Sequence, residues 1–514
     1  MHVGLTTAPL HFAGPPAWPH QLVLGFLLVV PWLAPWSPLP HANTVPLLVS
    51  WGCMGLLLLW GAHIRSADVA KGWAFAALIS SGMGLVQYFG AADAFSPWLH
   101  VPGLPEPVAN ANLRQRNQLA TLLAIGVLAV LWWQAHGLQT RHALWMLAVL
   151  ALGNAATTSR TGLLHMLLVS GLVTFWAWRS RTVAPKLSKS LAAVALTVYV
   201  LANWALPWAL NLLSGQNVVD ALSRMGHNEG CASRRVLWGN VLTLIGQKPW
   251  TGWGWDELKY AHYITPFSGG PENRFCALLG NAHNLPLHLA VTLGIPFTVI
   301  LGLVLLTVLV NARPWLCQRP TQQLAWSVLA VIGLHSLLEF PLWYGPFQMA
   351  LLLCGLLLAR GADRKMFASR GWQLTGGLVL ALVGLVGADY ARVRQIYMPA
   401  DQRWLAWRND PLGAARGSWF FQRSAQFAEL ALTPVTPQSA AWVLNTSLTL
   451  LHFSPEPQVV RSLILSAQML GRQDLVDLHT ARWHAAFPSE RAPGRSNPPD
   501  QALKLGMGRL NAGR

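Results

Sequence analysis

Apolar residues crowd into eleven stretches along the chain, at about 20–37, 42–61, 72–90, 117–135, 142–158, 161–178, 190–210, 285–310, 322–339, 342–360 and 372–390. Roughly 20 consecutive apolar residues wound as a helix cross the hydrocarbon of a bilayer. The pattern therefore predicts an all-α polytopic membrane protein with about 11 transmembrane helices, 10 and 12 being the neighbouring counts. Pro31 predicts a kink in the first. Asn154 and Thr157 shorten the fifth, and little more than Glu339-Phe340-Pro341 divides the ninth from the tenth.

The polar positions between these stretches sort by side. With the N-terminus inside, the inner connections hold Arg65 and Lys71; Arg141; Arg179, Arg181, Lys186 and Lys189; Arg313 and Arg319; then Arg360, Arg364, Lys365 and Arg370, against only Asp68 and Asp363. Basic residues concentrate in cytoplasmic connections. An odd number of spans then puts everything after residue 390 outside. Two outer segments are long, 91–116 and a large loop over 211–284, whose run from Asn217 to Arg235 is polar enough to leave the membrane.

The chain thus divides into a membrane part, 1–390, and an outer tail, 391–514. Helical stretches are expected in the tail at 400–408, 414–432, 436–451, 457–469 and 473–486, punctuated by Pro and Gly. Ala440, Ala441, Trp442, Val443 and Leu444 with Leu448 and Leu451 give one an apolar face at helical spacing. Helical hairpins follow from this, tetratricopeptide-like in style but without a clean repeat. The end, Arg491 to Arg514, is rich in Pro, Gly and Asn.

Composition agrees and removes other classes. Of 514 residues 53% are hydrophobic and 11% charged, where soluble domains carry roughly 25% charge. The net charge of +17 would suggest nucleic acid in a soluble chain, but so apolar a chain is expected to meet membrane lipids and no nucleic acid. Residues 1–20 lack Lys and Arg and contain Pro15, Pro16 and Pro19, so no secretory signal is expected there. Cys231 and Cys276 share the large outer loop, either bridged or as two free thiols, while Cys53, Cys317 and Cys354 lie in spans or near the inner face.

The chemistry-bearing residues are those that break the inside-positive preference. Arg114 and Arg116 flank Gln115 at the outer mouth of the fourth span, Arg160 occupies a tight outer turn, and Arg224, Arg234, Arg235 and Arg274 lie in the large loop. His283 and Asn284 stand where that loop re-enters the membrane, and Glu339 ends the ninth span. Taken singly, an arginine can snorkel to headgroup phosphates, Ser159 and Arg160 can cap a helix, and Glu339 can pair with a neighbouring Arg. Collected on one face, they suit a different task. Guanidinium groups match phosphate oxygens, and fixed cations stabilise a departing pyrophosphate without an added metal. A neutral histidine beside them can accept a proton from an attacking hydroxyl.

No nucleotide-binding P-loop, dinucleotide fingerprint, zinc-protease motif or metal-type cysteine pair is present, and His262 with Asp256 and Glu257 lacks metal-site spacing. No cofactor is expected. A proton-coupled transporter remains the rival, disfavoured because the polar groups crowd the outer face and not the midplane.

Five segments carry a resemblance: NLRQRNQLATLL (112–123), TTSRTGLL (157–164), SRRVLWGNVLTLIGQKPWTGWGWDEL (233–258), GNAHNLPLHLAVTLGIP (280–296) and HSLLEFPLWYGPF (335–347). With them the chain resembles the bacterial O-antigen ligase/polymerase superfamily, most of all the protein O-oligosaccharyltransferases that glycosylate pilins. The resemblance implies a bacterial inner-membrane enzyme that moves glycan from an undecaprenyl-pyrophosphate carrier to an acceptor, with the large loop and the tail in the periplasm. It implies His283 as the catalytic histidine and Arg116, Arg160 and Arg234 (Arg234 rather than Arg235) as pyrophosphate ligands. Glu339 and Tyr344 fall to acceptor placement or support, with Asn284 and Gln115 beside the site. His288 departs from the acidic or polar residue common in relatives, which leaves His283 without an assigned partner. Transfer to a Ser or Thr of a pilin-like protein leads; ligation to lipid A core and O-antigen polymerisation are the alternatives.

Overall fold

The computed structural model describes residues 18–60, 64–103, 107–179, 186–215, 230–360 and 370–488. Arg181, Arg224, Asp363, Arg364, Lys365, the N-terminal residues before Trp18 and the segment from Arg491 lie outside the described residues. Among the described residues there is no β-strand.

In chain order the helices are α1 (Trp18–Leu33), α2 (Thr44–Trp60), α3 (Ser66–Tyr88), α4 (Arg116–Ala135), α5 (Thr140–Ala156), α6 (Arg160–Arg179) and α7 (Lys189–Ser214). Within the large loop lie α8 (Arg234–Gln247) and α9 (Leu258–Ile264). Then follow α10 (Leu285–Leu293), α11 (Ile295–Ala312), α12 (Pro320–Ser336), α13 (Gly345–Arg360) and α14 (Arg370–Arg394). Among the described residues six segments are long and apolar enough to cross a membrane: α3, α4, α6, α7, Ile295–Leu316 and Arg370–Tyr397. The chain is a multi-pass, all-α membrane protein.

Helix α4 is the axis of the bundle, its residues buried continuously from Asn117 to Trp132. It packs against α3, α5, α6 and α12. Small residues allow the closest of these approaches: a Cβ on Gly126 would collide with Ala77, and one on Gly153 of α5 with Ser81. Such contacts drive helix association where lipid removes the hydrophobic incentive. By contrast α11 has no buried residue and mean apolarity all round, the pattern of a helix facing lipid.

Three expected elements come out differently. The stretch 285–310 divides at Gly294, whose φ of 89° only glycine tolerates easily. Ile295 N–H donates to Pro249 O at 2.8 Å instead of continuing α10. The tail stretch 414–432 is likewise cut into α15 (Pro411–Arg416) and α16 (Gln422–Leu432). Here Asp389 of α14 captures the intervening turn, accepting from Ser418 Oγ and from Phe420 N–H at 2.8 Å each. The expected helix 400–408 is reduced to two short turns, Ala400–Gln402 and Leu405–Trp407.

The remaining tail helices, α17 (Ala440–Leu451), α18 (Pro457–Met469) and α19 (Gln473–Ala486), pack around Val443, Leu450, Val460, Leu463, Ile464 and Trp483. Tyr263 of α9 enters the same core, its hydroxyl 2.8 Å from His479 Nδ1. The large loop is thereby held between the bundle and the tail.

Candidate active site

Three helices converge with their N-termini on one cavity of about 170 Å³, and each opens with an arginine. Arg116 is the first residue of α4, Arg160 of α6 and Arg234 of α8. The residues just before them take up one inner N–H each. Gln115 accepts from Gln118 N–H at 2.7 Å, Ser159 from Gly162 at 3.2 Å and Ser233 from Val236 at 3.4 Å. A basic residue in the first turn opposes the helix dipole at a cost of about 0.3–1 kcal/mol. Three such violations facing one cavity make sense when an anion fills it, since helix N-termini and arginines then act together.

Glu339, in the connection beyond the end of α12, lies on the wall of this cavity with its side chain 10% exposed. Its Oε1 accepts from Arg234 Nη2 at 2.9 Å and from Asn117 Nδ2 at 3.0 Å. Its Oε2 lies 2.5 Å from His283 Nδ1. Burial pushes the Glu339 carboxyl up, but the hydrogen bond from His283 and the charges of His283 and Arg234 outweigh it and hold the group below the ordinary carboxylate value. Asn117 extends the network by accepting from Ser159 Oγ at 2.6 Å, which ties the starts of α4 and α6 to the same carboxylate.

His283 is held in the left-handed region at φ 50°, an uncommon conformation for a residue with a side chain. Asn281 Oδ1 accepts its N–H at 2.9 Å. Asn284 caps α10 through Leu287 N–H at 3.0 Å and donates to Leu337 O at 2.9 Å, bringing the histidine loop to the end of α12. With Nδ1 occupied by the carboxylate, Nε2 is the ring nitrogen left to face a reactant. The partner that sequence left unassigned is therefore Glu339.

His288 is buried on α10, its Nδ1 accepting from Ala282 N–H at 3.5 Å. Tyr344 does not line the cavity; it stacks on Phe340 at 5.8 Å, with Asn43 and Gln118 facing its hydroxyl. Cys231 and Cys276 are joined in a disulfide, and their neighbours Ala232 and Phe275 both line the cavity.

Three further arginines of the outer face, also candidates for the pyrophosphate, stand outside this cavity's lining. Arg114 donates to Pro35 O at 2.6 Å, anchoring the connection between α1 and α2. Arg274 is buried and spends both terminal nitrogens on backbone, donating to Thr265 O at 3.0 Å and His262 O at 2.8 Å. Arg235 is exposed and outside the cavity lining, whereas Arg234, one residue earlier on α8, lines it. Burial and the Arg274 charge push His262 down to about 3, consistent with a neutral ring meeting Asn240 at 3.2 Å. Among the described residues no group of three or more His, Cys, Asp or Glu could hold a metal ion.

The network residues Asn117 and Ser159 were not singled out as site residues from sequence. Their signal was positional, each standing one residue from an arginine at the start of a helix.

Three family models match along the chain. Residues 109–133 match a protein glycosylation ligase, 145–302 an O-antigen ligase, and 323–497 the C-terminal part of a virulence factor membrane-bound polymerase. The chain is 26% identical over 323 residues to a general O-oligosaccharyltransferase of Acinetobacter baylyi, covering 60% of this chain and 54% of that protein. It is 23% identical over 256 residues to a ComP-specific O-oligosaccharyltransferase of the same organism, covering 48% of this chain and 44% of that protein. The chain thus spans about half the length of the curated relatives it matches. Read with the helical bundle that carries them, these matches make successive segments of the chain similar to the O-antigen ligase superfamily and its protein-glycosylating branch.

Proposed function

We propose that this protein transfers a glycan from an undecaprenyl-pyrophosphate-linked donor to a Ser or Thr hydroxyl of a periplasmic protein such as pilin, inverting the anomeric centre. The observation that carries the reading is the cavity in which three arginine-headed helix starts meet the His283–Glu339 pair. In this reading the chain crosses the inner membrane eleven times, its N-terminus is cytoplasmic, and the part from 391 onward is a periplasmic helical domain beside the enzyme.

Arg116, Arg160 and Arg234 hold the pyrophosphate. Glu339 keeps the proton of His283 on Nδ1, so that Nε2 takes the proton of the acceptor hydroxyl. The hydroxyl oxygen attacks the anomeric carbon as the bond to pyrophosphate breaks, and the departing negative charge is met by guanidinium and helix N–H groups. A groove of about 630 Å³ lined by Leu167, Gly171 and Trp178 of α6 and by Ala193 and Leu196 of α7 supports a polyprenyl donor. At 100° per residue, Leu167, Gly171 and Trp178 share the helix face of Arg160, so an isoprenoid chain can descend from the pyrophosphate along it.

The names of the relatives favour a protein acceptor. The O-antigen ligase and polymerase matches favour a sugar hydroxyl on lipid A core or on a growing polymer instead. Reconstituted transfer from purified lipid-linked glycan tests the reaction: full activity in His283→Ala ends the role of that residue. Intact-mass analysis of pilin and of lipid A core from cells expressing the protein tests the acceptor. Glycan on lipid A core with unmodified pilin replaces the protein-acceptor reading.

A further inference from the structure

An aromatic surface leads out of the cavity on the His283 side and is used by nothing described so far. Phe340 meets the His283 ring edge-on at 4.9 Å, and Trp343 meets Phe340 at 6.4 Å. Trp255 lies parallel to Trp343, with centroids 6.1 Å apart and planes 6° apart. His288 stands edge-on to both, 5.0 Å from Trp343 and 6.0 Å from Trp255. His288 is thus a prop for two tryptophans.

The outer ring is presented rigidly although it lies in a loop and is 59% exposed. Trp253 N–H donates to Val291 O at 2.8 Å and Gly254 N–H to Thr292 O at 2.9 Å. Gly252 and Gly294, at φ 67° and 89°, let the two backbones touch, and a Cβ on either would collide with the opposite main chain. A large apolar side chain locked in place at the surface, beside a polar site, is poised for a ligand. Neither Trp255 nor Trp343 has a hydrogen bond from its indole N–H among the described residues, so each offers a flat face together with an unused donor.

Faces with free N–H donors suit pyranose rings, whose C–H faces stack while their hydroxyls accept. Given the glycosyl-transfer reading above, on which this rests, the reacting sugar lies between the arginines and His283. Sugars beyond it extend away from the arginines, which line the cavity, and toward Trp343 and Trp255, which do not. We infer that Trp255 and Trp343, propped by His288, form the subsite that stacks a sugar of the lipid-linked donor beyond the one transferred at its anomeric carbon.

The test compares equilibrium binding of undecaprenyl pyrophosphate bearing an oligosaccharide with that of bare undecaprenyl pyrophosphate, using purified full-length protein. Trp255→Ala and Trp343→Ala are expected to weaken the glycan-bearing lipid about three- to tenfold. Bare lipid pyrophosphate should bind unchanged, and Trp255→Phe should retain most of the affinity. Equal weakening of both lipids, as for a merely interfacial or structural tryptophan, overturns the subsite. So does a change confined to the KM of an acceptor protein, which would hand the surface to the acceptor. Should the wild type bind bare lipid pyrophosphate but transfer no glycan, the glycosyl-transfer reading fails instead, and with it the basis of the subsite.

Discussion

Glu339 Oε2 and His283 Nδ1 lie 2.5 Å apart across 56 residues of sequence, and the same carboxylate binds the guanidinium of Arg234 through its other oxygen. One carboxylate therefore sets both the tautomer of the candidate base and the place of a candidate phosphate ligand. Glu339→Gln separates these duties. The amide oxygen can still accept from Arg234 and Asn117, but the amide N–H₂ then faces Nδ1 and drives the ring proton to Nε2. The expected result is a loss of kcat of roughly a hundredfold or more with donor KM nearly constant. Steady-state transfer kinetics decide it, and an unchanged kcat removes Glu339 from the proton path.

The arginine-headed helix starts make a prediction about anions alone. Inorganic pyrophosphate should raise the Tm of the detergent-purified protein, because it binds the folded state only. Arg160→Ala or Arg116→Ala should bind it about ten- to a hundredfold more weakly, the scale of one charge-assisted hydrogen bond. Equal Tm shifts in wild type and both variants would place the anion elsewhere.

The disulfide joins two separate segments of the loop, and each brings one residue, Ala232 or Phe275, to the cavity wall. Replacing both cysteines by alanine is expected to cost the loop about 2–4 kcal/mol while the membrane helices persist. Hydrogen exchange should then rise over 230–276 and activity should fall, with no loss of helical circular dichroism. Unaltered exchange in that segment would show the bridge to be dispensable.

Acid should loosen the contact between loop and tail. Burial, with the Arg482 charge, pushes His479 down to about 4, and burial with Arg274 pushes His262 down to about 3. Both rings fold in their neutral form below the unfolded value of 6.5. Their contribution is present above that value and is lost as pH falls from about 6.5 toward 4. Exchange in α9 and α19, corrected for intrinsic rate, should therefore increase between pH 7 and pH 4.5. Constant protection across this range would contradict the assignment.

The helices were legible because lipid and core demand long apolar runs, although only six of the eleven stretches are long and apolar enough among the described residues to cross a membrane. What was less legible depended on single backbone events. Gly294 looks like one small residue in an apolar stretch until Pro249 and Trp250 arrive from 45 residues away to claim the adjoining backbone. Asp389 reads as a polar residue near a helix end, yet it cuts a tail helix by capturing its N–H groups. The site was partly visible for a similar reason. Charge out of place exposed Arg116, Arg160, Arg234, His283 and Glu339, but Arg114 and Arg274 carry the same charge and are bound to carbonyls that composition cannot locate. The link from His283 to Glu339 is a tertiary contact, and no local pattern announces it.

Tyr263 belongs to the loop by sequence and to the tail by packing, buried among Val443, Val460 and Trp483. Loop and tail thereby share one buried core. Shortening the chain before α17 would leave that tyrosine and its helix exposed to water and loosen the wall above His283. An inactive truncated protein would then be evidence of a lost footing, whether or not the tail ever meets an acceptor.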